Sequence, residues 1–143
     1  MKISTKGRYA LRVIVDLAEH SEGNYIAMKE VAERQNISLK YLEKILPALV
    51  RENIVEGVHG KGGGYKLTRE PDKYTVGEIL RLTEGELAPS ACVECHDVQE
   101  CSNKDACRTY PVWDKLNGLI NNYLDSITIA DLMQKTEIKE QLI

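Results

Sequence analysis

Apolar residues recur at helical spacing in the first fifty residues and form three segments. The first begins at Ser4 or Thr5, either of which can cap a helix, and the second runs over residues 28–35. The third follows Ser38, a favoured N-cap residue, after a turn at residues 36–38. The positions expected to face the core are Ala10, Val13, Ile14, Leu17, Ala18, Val31, Ala32, Leu42, Ile45, Leu46 and Leu49. A short helix, a tight turn and a second helix together indicate a helix-turn-helix. Because a proline inside a helix removes a hydrogen bond, we expect a kink or break at Pro47.

A β-hairpin is predicted directly after the third helix. Ile54, Val55 and Val58 form one short strand, and residues 65–67 form the other. The connection, residues 59–64, has four glycines in five positions, which permit positive φ angles and close approach to another surface. A nucleotide-binding loop is excluded, because Lys61 precedes glycine and strand rather than Ser or Thr and a helix. The hairpin is typical of the wing of a winged helix.

Three more helices follow in the second half of the chain. Thr75 and Glu78 have the spacing of a capping box, and Gly85 ends that helix. Pro111 suits the first turn of a long helix. Its apolar stripe consists of Trp113, Leu116, Leu119, Ile120, Tyr123, Leu124 and Ile127. Because a complete winged helix leaves little core to cover this stripe, we expect a dimer interface there. Thr128 caps a short last helix.

The predicted fold class is mainly α with a small β-hairpin. Residues 1–85 are expected to form a winged helix-turn-helix DNA-binding domain, and residues 86–110 are expected to form a cysteine-rich loop. Residues 111–143 form a dimerisation helix and a short C-terminal helix. A length of 143 residues is enough for one modest core with such an appendage.

The charge of the chain is distributed unevenly. The net charge of −3 argues by itself against a nucleic-acid partner. Residues 1–70, however, carry 12 Lys and Arg against 9 Asp and Glu, a net of +3. Residues 71–143 carry 7 against 13, a net of −6. The first half is therefore expected to bind an anionic partner.

All four cysteines lie in one polar segment, residues 91–110. Three are evenly spaced, Cys95-x5-Cys101-x5-Cys107, and Cys92 precedes them. The N-terminus shows no signal-peptide pattern and no run approaches a membrane span, so we expect a cytoplasmic protein with reduced thiols and no membrane association. Clustered cysteines then favour a metal or iron–sulfur site over a redox switch or inert thiols. Structural zinc sites usually have two closely spaced cysteine pairs, and Cys92-x2-Cys95 has no matching second pair. Because thiolates bind both zinc and iron–sulfur clusters, the spacing leaves both cofactors possible.

The chain resembles the family of IscR-type iron–sulfur cluster regulators, which includes the NsrR and CymR regulators. The resemblance covers residues 1 to about 133, and its motifs in combination are highly specific. The motifs are residues 4–10 (STKGRYA), residues 33–43 (ERQNISLKYLE), residues 62–65 (GGGY), the evenly spaced cysteines, Trp113 and residues 122–128 (NYLDSIT).

The resemblance implies a homodimeric transcription factor, commonly a repressor, that is not an enzyme. It binds double-stranded operator DNA, controls iron–sulfur biogenesis genes and receives its cluster from delivery proteins. The family's cluster is a [2Fe–2S] cluster on Cys95, Cys101 and Cys107. The family's fourth ligand, a histidine, is replaced by Tyr110, and the aspartate that some nitric-oxide sensors use is replaced by Arg8.

The fourth ligand is therefore open. Cys92 is the first candidate, because thiolate is the default iron–sulfur ligand. His96 is the second candidate, and Glu94 or an external ligand is the third. A [4Fe–4S] cluster or zinc is the alternative cofactor.

The family's recognition helix corresponds to residues 38–46, and its outward side chains are the candidate DNA contacts. Ser38 and Lys40 can contact phosphates or base edges, and Glu43 can accept a hydrogen bond from a cytosine amino group. Lys61 is expected at the wing tip over the minor groove. The remaining candidates are Tyr41, Lys44, Arg51 and His59.

Two other functions are compatible with these residues. The same DNA-binding frame could sense nitric oxide, zinc or thiol oxidation instead of cluster status. A thiol redox enzyme using Cys92 and Cys95 is a more distant alternative, and it would need one exposed thiol of low pKa.

Overall fold

Six α-helices and one β-hairpin make up the part of the chain that the computed structural model describes, residues 1–94, 101 and 103–134. The elements are α1 Thr5–His20, α2 Met28–Gln35, α3 Leu39–Arg51, β1 Val55–Val58, β2 Gly64–Leu67, α4 Val76–Glu84, α5 Tyr110–Ser126 and α6 Ile129–Met133. Short 3-10 turns lie at Pro71–Lys73, Ala91–Val93 and Lys104–Ala106. The predicted fold class, mainly α with a small β-hairpin, is confirmed.

Side-chain caps begin four of these helices. The capping residues are Ser4, Ser38, Thr75 and Thr128. Thr128 and Asp131 form a reciprocal capping box. At Thr75 the predicted box forms only by half: its hydroxyl accepts from the Glu78 amide, but the Glu78 carboxylate accepts from Arg69 Nη2 at 2.6 Å.

A kink or break is predicted at Pro47, and the helix does not break there. Helix α3 continues through Pro47 to Arg51. Proline removes the hydrogen bond to the carbonyl four residues earlier, which belongs to Glu43. Glu43 and Pro47 are both exposed, so water can satisfy that carbonyl while Leu46 and Leu49 keep the helix packed on the core.

The core gathers α1, the helix-turn-helix and the base of the wing around fully buried side chains. The largest of these are Tyr74, Ile14, Leu17, Leu42, Ile45, Leu49, Ile54, Ile79, Leu87 and Ile129. The Tyr74 hydroxyl donates to the Ile54 carbonyl at 2.9 Å and accepts from the Arg69 amide at 2.8 Å. The amide of Ile129 donates to the Tyr74 carbonyl at 3.0 Å. Helix α6 therefore packs on the same core as the N-terminal helices.

The wing is a two-stranded antiparallel sheet, and a third segment attaches it to helices α1–α4, which together with the wing are called the head. Val55 pairs with Leu67, and Val58 pairs with Gly64. That segment forms a single bridge, in which Ile26 and Tyr65 exchange hydrogen bonds of 2.8 and 2.9 Å. This bridge holds the wing beside α2.

Helix α5 is the least covered helix of the described chain. None of its side chains is buried, and Val112, Leu116 and Tyr123 are 56%, 38% and 48% exposed. A soluble monomer seldom leaves such a stripe open to water. Within the described residues, no helix has the length and apolar character needed to cross a membrane.

Candidate DNA-contacting surface and cysteine segment

The turn between α2 and α3 is built from three residues with separate tasks. Asn36 adopts the left-handed conformation, with φ of 53°, and ends α2. Ile37 is buried, and Ser38 caps α3 by accepting from the Tyr41 amide at 3.2 Å. The second helix of the pair therefore begins at the surface.

The exposed face of α3 carries most of the predicted DNA contacts. Lys40, Glu43, Lys44 and Arg51 are all exposed, and the Arg51 side chain is 73% exposed. Ser38 is exposed too, but its hydroxyl is already used as the cap. These side chains lie on the face opposite the buried stripe and are available to a ligand.

Tyr41 differs from the other predicted contacts on α3. It is half-buried, and its ring meets the ring of Tyr9 edge to face, with centroids 5.4 Å apart. The Arg12 guanidinium lies 5.2 Å above the Tyr9 ring. This aromatic contact joins the first turn of α3 to α1, so Tyr41 has a packing role in the structure.

A buried ion pair joins α1 to α2, and the sequence pattern missed it. Asp16 is fully buried and accepts from Arg34 Nη2 at 2.7 Å and from Gln35 Nε2 at 2.9 Å. The hydrogen bond to Asp16 raises the pKa of Arg34. Arg12 donates to the Gln35 side chain and carbonyl. Arg12 and Asp16 of α1 thereby hold Arg34 and Gln35 at the end of α2, where the turn begins.

The wing presents its predicted contacts freely. His59 and Lys61 are exposed in the tip between β1 and β2. A groove of about 390 Å³ separates the wing from α3. Its lining residues are Glu43, Leu46, Pro47, Val50, Arg51 and Tyr65.

The cysteine segment lies between α4 and α5. Cys92 is exposed on the turn Ala91–Val93, whose Val93 is buried and anchors it. Cys101 is exposed and Cys107 is partly exposed. Cys95 and His96, two of the predicted ligands, fall outside the described residues.

Hydrogen bonds around the Cys107 thiol lower its pKa from the ordinary value. Its Sγ lies 3.3 Å from Thr109 Oγ1, and hydrogen bonds from the Thr109 hydroxyl and from the amides of Thr109 and Tyr110 lower its pKa. The buried Ser90 hydroxyl, two residues before Cys92, has no partner among the described residues and remains able to donate. The donor chemistry of the segment fits a thiolate-bound metal.

Within the described chain no three His, Cys, Asp or Glu side chains converge on one point as metal ligands. Cys92, Cys101 and Cys107 are thus not gathered into one site in this conformation. The described structure leaves the predicted ligand set untested, because Cys95 is not part of it.

A polar junction connects the base of the cysteine segment to the head and to α5. Arg81 on α4 donates to both carboxylate oxygens of Asp125 at 2.8 and 2.9 Å and to Asn121 Oδ1 at 2.7 Å. Asn121 Nδ2 donates to the Leu87 carbonyl at 3.1 Å. The hydrogen bond to Asp125 raises the pKa of Arg81. The Gly77 backbone lies against Asp125, so a side chain there would displace that carboxylate.

A helix-turn-helix followed by a docked wing defines a DNA-binding protein of the winged-helix class. The sequence model of the Rrf2 family, described as iron-dependent transcriptional regulators, matches residues 3–135. The chain belongs to the Rrf2 family of transcriptional regulators.

Relatives and solved structures agree with this assignment. An IscR regulator from Sodalis glossinidius is 35% identical over 138 residues, which are 96% of this chain and 82% of that protein. The structure of CymR, the global cysteine regulator of B. subtilis, has a TM-score of 0.78 and 33% identity, covering 96% of this chain and 99% of that one. The structure of T. potens IscR has a TM-score of 0.74 and 37% identity, covering 96% and 89%. The predicted resemblance to IscR-type regulators and the regulatory function are confirmed.

Proposed function

We propose that this regulator binds operator DNA as a homodimer and that an iron–sulfur cluster on its cysteine segment controls the binding. The observation that carries the proposal is the position of the thiols. Cys92, Cys101 and Cys107 are accessible on the segment that joins the DNA-contacting head to α5. Several relatives bear the name of the IscR regulator, and the family is described as iron-dependent. By analogy with them, the genes it controls serve iron–sulfur biogenesis.

The homodimer would form through α5. Its open stripe of Val112, Leu116 and Tyr123 matches what a second copy of the same helix can cover. In this proposal residues 1–85 form the head, residues 86–110 form the cluster segment, and residues 111–143 form the dimerisation helix and the short C-terminal helix α6, which packs back on the head. Two heads held by one helix pair can contact two half-sites of a palindromic operator.

The cluster would be held by Cys95, Cys101 and Cys107, with Cys92 as fourth ligand. The tyrosine at position 110 offers no ligand of the usual histidine type, whereas the Cys92 thiol is exposed on an anchored turn. When bound, an iron–sulfur cluster supplies sensitivity to iron, oxygen and redox state. Four thiolates fit a [2Fe–2S] cluster, with [4Fe–4S] or zinc as alternatives. Cluster-delivery proteins would be partners at this segment.

Hydrogen bonds connect the base of the cysteine segment to the head. Leu87 lies at its base and accepts from Asn121, which also accepts from Arg81 of the head. Binding of a cluster would bring the cysteines together and shift the hydrogen-bonded junction of Leu87, Asn121 and Arg81. That shift would change the preferred angle between the head and α5. Since α5 sets the dimer, that angle decides the spacing of the two heads and hence which operators fit.

On DNA, α3 would enter the major groove and the wing the minor groove. Glu43 accepts from a cytosine amino group, and its charge repels other edges and phosphates, so it excludes sites as well as choosing them. Ser38, Lys40, Lys44 and Arg51 neutralise phosphates or donate to bases. His59 and Lys61 lie over the minor groove, while Tyr41 supports α3 against Tyr9.

Substitution of Glu43 is expected to change specificity. Glu43→Ala should cost about 1–3 kcal/mol of discrimination at one base pair and leave binding to random DNA unchanged or stronger. Competition binding against operators varied at each position measures it. Equal losses on operator and random DNA would contradict a base contact.

Substitution of Lys61 is expected to change affinity alone. Lys61→Ala should weaken binding to all sequences alike and reduce the slope of log K against log salt by about one for each protomer. Lys115→Ala, an exposed lysine on α5, is the matched control and should change neither quantity. A sequence-dependent loss for Lys61→Ala would contradict the wing contact.

Cysteine substitutions test the cluster. We expect anaerobically purified wild type to be coloured and to contain iron and sulfide, and Cys95→Ala and Cys92→Ala to be colourless. An ultraviolet–visible spectrum with iron and sulfide assays measures this. Colour retained in Cys92→Ala but lost in His96→Ala would move the fourth ligand to His96. A wild type without iron after reconstitution would contradict the cluster and leave zinc or thiol chemistry on the same DNA-binding frame.

A further inference from the structure

One apolar side chain at the start of the DNA-contacting face of α3 is partly exposed. Leu39 is the first residue of α3 and is 40% exposed. The apolar side chains on the core-facing side of α3 are buried: Leu42, Ile45, Leu46 and Leu49 are all at most 3% exposed. Two other apolar side chains on the open face, Pro47 and Val50, line the groove beside the wing, and Leu39 does not. Leu39 therefore offers apolar surface at the first turn of the helix, outside that groove.

The position of Leu39 on the helix is next to that of Glu43. At about 100° for each residue, the two side chains point about 40° apart and one turn apart along the axis. Lys40 and Lys44 lie further round the same exposed face. The N-terminal turn of a recognition helix is the part that contacts base edges. Leu39 is thus at a base-contacting position with an apolar side chain.

We propose that Leu39 is a specificity-determining residue that contacts the C5 methyl group of a thymine in the operator. The inference rests on the proposed DNA binding. The thymine methyl is the apolar group that base pairs present in the major groove, so it is the partner that an exposed leucine there can bury. The contacted thymine lies in the base pair beside the one contacted by Glu43, because the two side chains are neighbours on one face.

The test removes only the methyl group. An operator is first selected from random DNA duplexes with anaerobically purified full-length protein. Each thymine of the half-site is then replaced by deoxyuridine, and competition binding is measured for wild type, Leu39→Ala and Glu43→Ala. Burial of one methyl predicts that one replacement weakens wild-type binding about fourfold for each half-site. Leu39→Ala should bind the thymine and deoxyuridine operators equally at that position and keep the wild-type ratio at every other thymine.

Val50→Ala is the matched control, since Val50 is 43% exposed on the same helix. It should keep the fourfold preference. Leu39→Ala removes an exposed side chain and raises helix propensity, so its thermal unfolding should match wild type.

The outcomes separate this inference from the proposed function. Equal thymine-to-deoxyuridine ratios for wild type and Leu39→Ala at every position would overturn the Leu39 contact and leave the regulator intact. Wild-type protein that binds the thymine and deoxyuridine operators equally at every position would also overturn the Leu39 contact and leave the regulator intact. A wild type that enriches no sequence would overturn the DNA-binding proposal and the Leu39 contact with it. A Leu39-dependent thymine that lies far from the base pair whose recognition changes in Glu43→Ala would overturn the proposal that Leu39 and Glu43 contact adjacent base pairs.

Discussion

Replacing Asp16 by alanine should lower the free energy of unfolding by about 3 kcal/mol. Removing one partner of a buried ion pair costs about 3–5 kcal/mol, because the other charge is left without compensation. The Arg34 side chain is 32% exposed and can turn toward water, which places the expected cost at the low end of that range. Gln35 Nε2 loses its acceptor as well. Urea unfolding at neutral pH measures the change.

The functional consequence of Asp16→Ala follows from where the pair lies. Arg34 and Gln35 are the last two residues of α2, and the turn to α3 begins at Asn36. Without the contacts of these two residues to Asp16, the end of α2 is held less firmly, and the orientation of α3 relative to α1 can vary. Operator affinity should therefore fall together with stability. Glu19→Ala, an exposed carboxylate on α1, is the control and should change unfolding by less than about 0.5 kcal/mol. Equal effects of the two substitutions would contradict the role of the ion pair.

Replacing Gly64 by alanine should also destabilise the head, by about 2–6 kcal/mol. Gly64 has a φ of 152°, and an added Cβ would overlap the main chain at Ile26, which cannot rotate away. The φ alone costs about 1–3 kcal/mol, and each of the two Ile26–Tyr65 hydrogen bonds contributes about 0.5–1.5 kcal/mol. We expect the wing to separate from α2 at this bridge.

Gly62→Ala separates backbone strain from the clash. Gly62 also has a positive φ, 77°, but nothing lies within 4 Å of an added Cβ. Its cost should stay near 1 kcal/mol. Amide hydrogen exchange at Ile26 and Tyr65 should speed up in Gly64→Ala and not in Gly62→Ala. Unchanged protection at these amides in Gly64→Ala would contradict the clash.

Local patterns were sufficient for the secondary structure. Each of the caps at Ser4, Ser38, Thr75 and Thr128 acts within three residues, and the buried stripes of α1 and α3 repeat within one or two turns. The hairpin follows from the glycines of residues 60–64. At Pro47 the local rule predicts a kink or a break, but the helix does not break, because burial of Leu46 and Leu49 keeps α3 packed on the core.

The contacts that position the site could not be predicted in this way. Asp16 pairs with a residue 18 positions away, and Arg81 pairs with Asp125 across 44 positions. A single charge on an amphipathic helix has the same pattern whether it is solvated or paired. Tyr41 was predicted on the DNA-contacting face, and its contact with Tyr9 depends on how α1 crosses α3.

The amino-acid sequence alone therefore determined the helices, the hairpin, the exposed charges of α3 and the family of the chain. These depend on propensity, capping and periodicity, which act over a few neighbouring residues. The tertiary structure decided that Asp16 is buried, that the wing docks through Ile26, that α6 packs on the N-terminal core and that Leu39 is partly exposed. These depend on which surfaces meet, and that is settled only when segments far apart in the chain pack together.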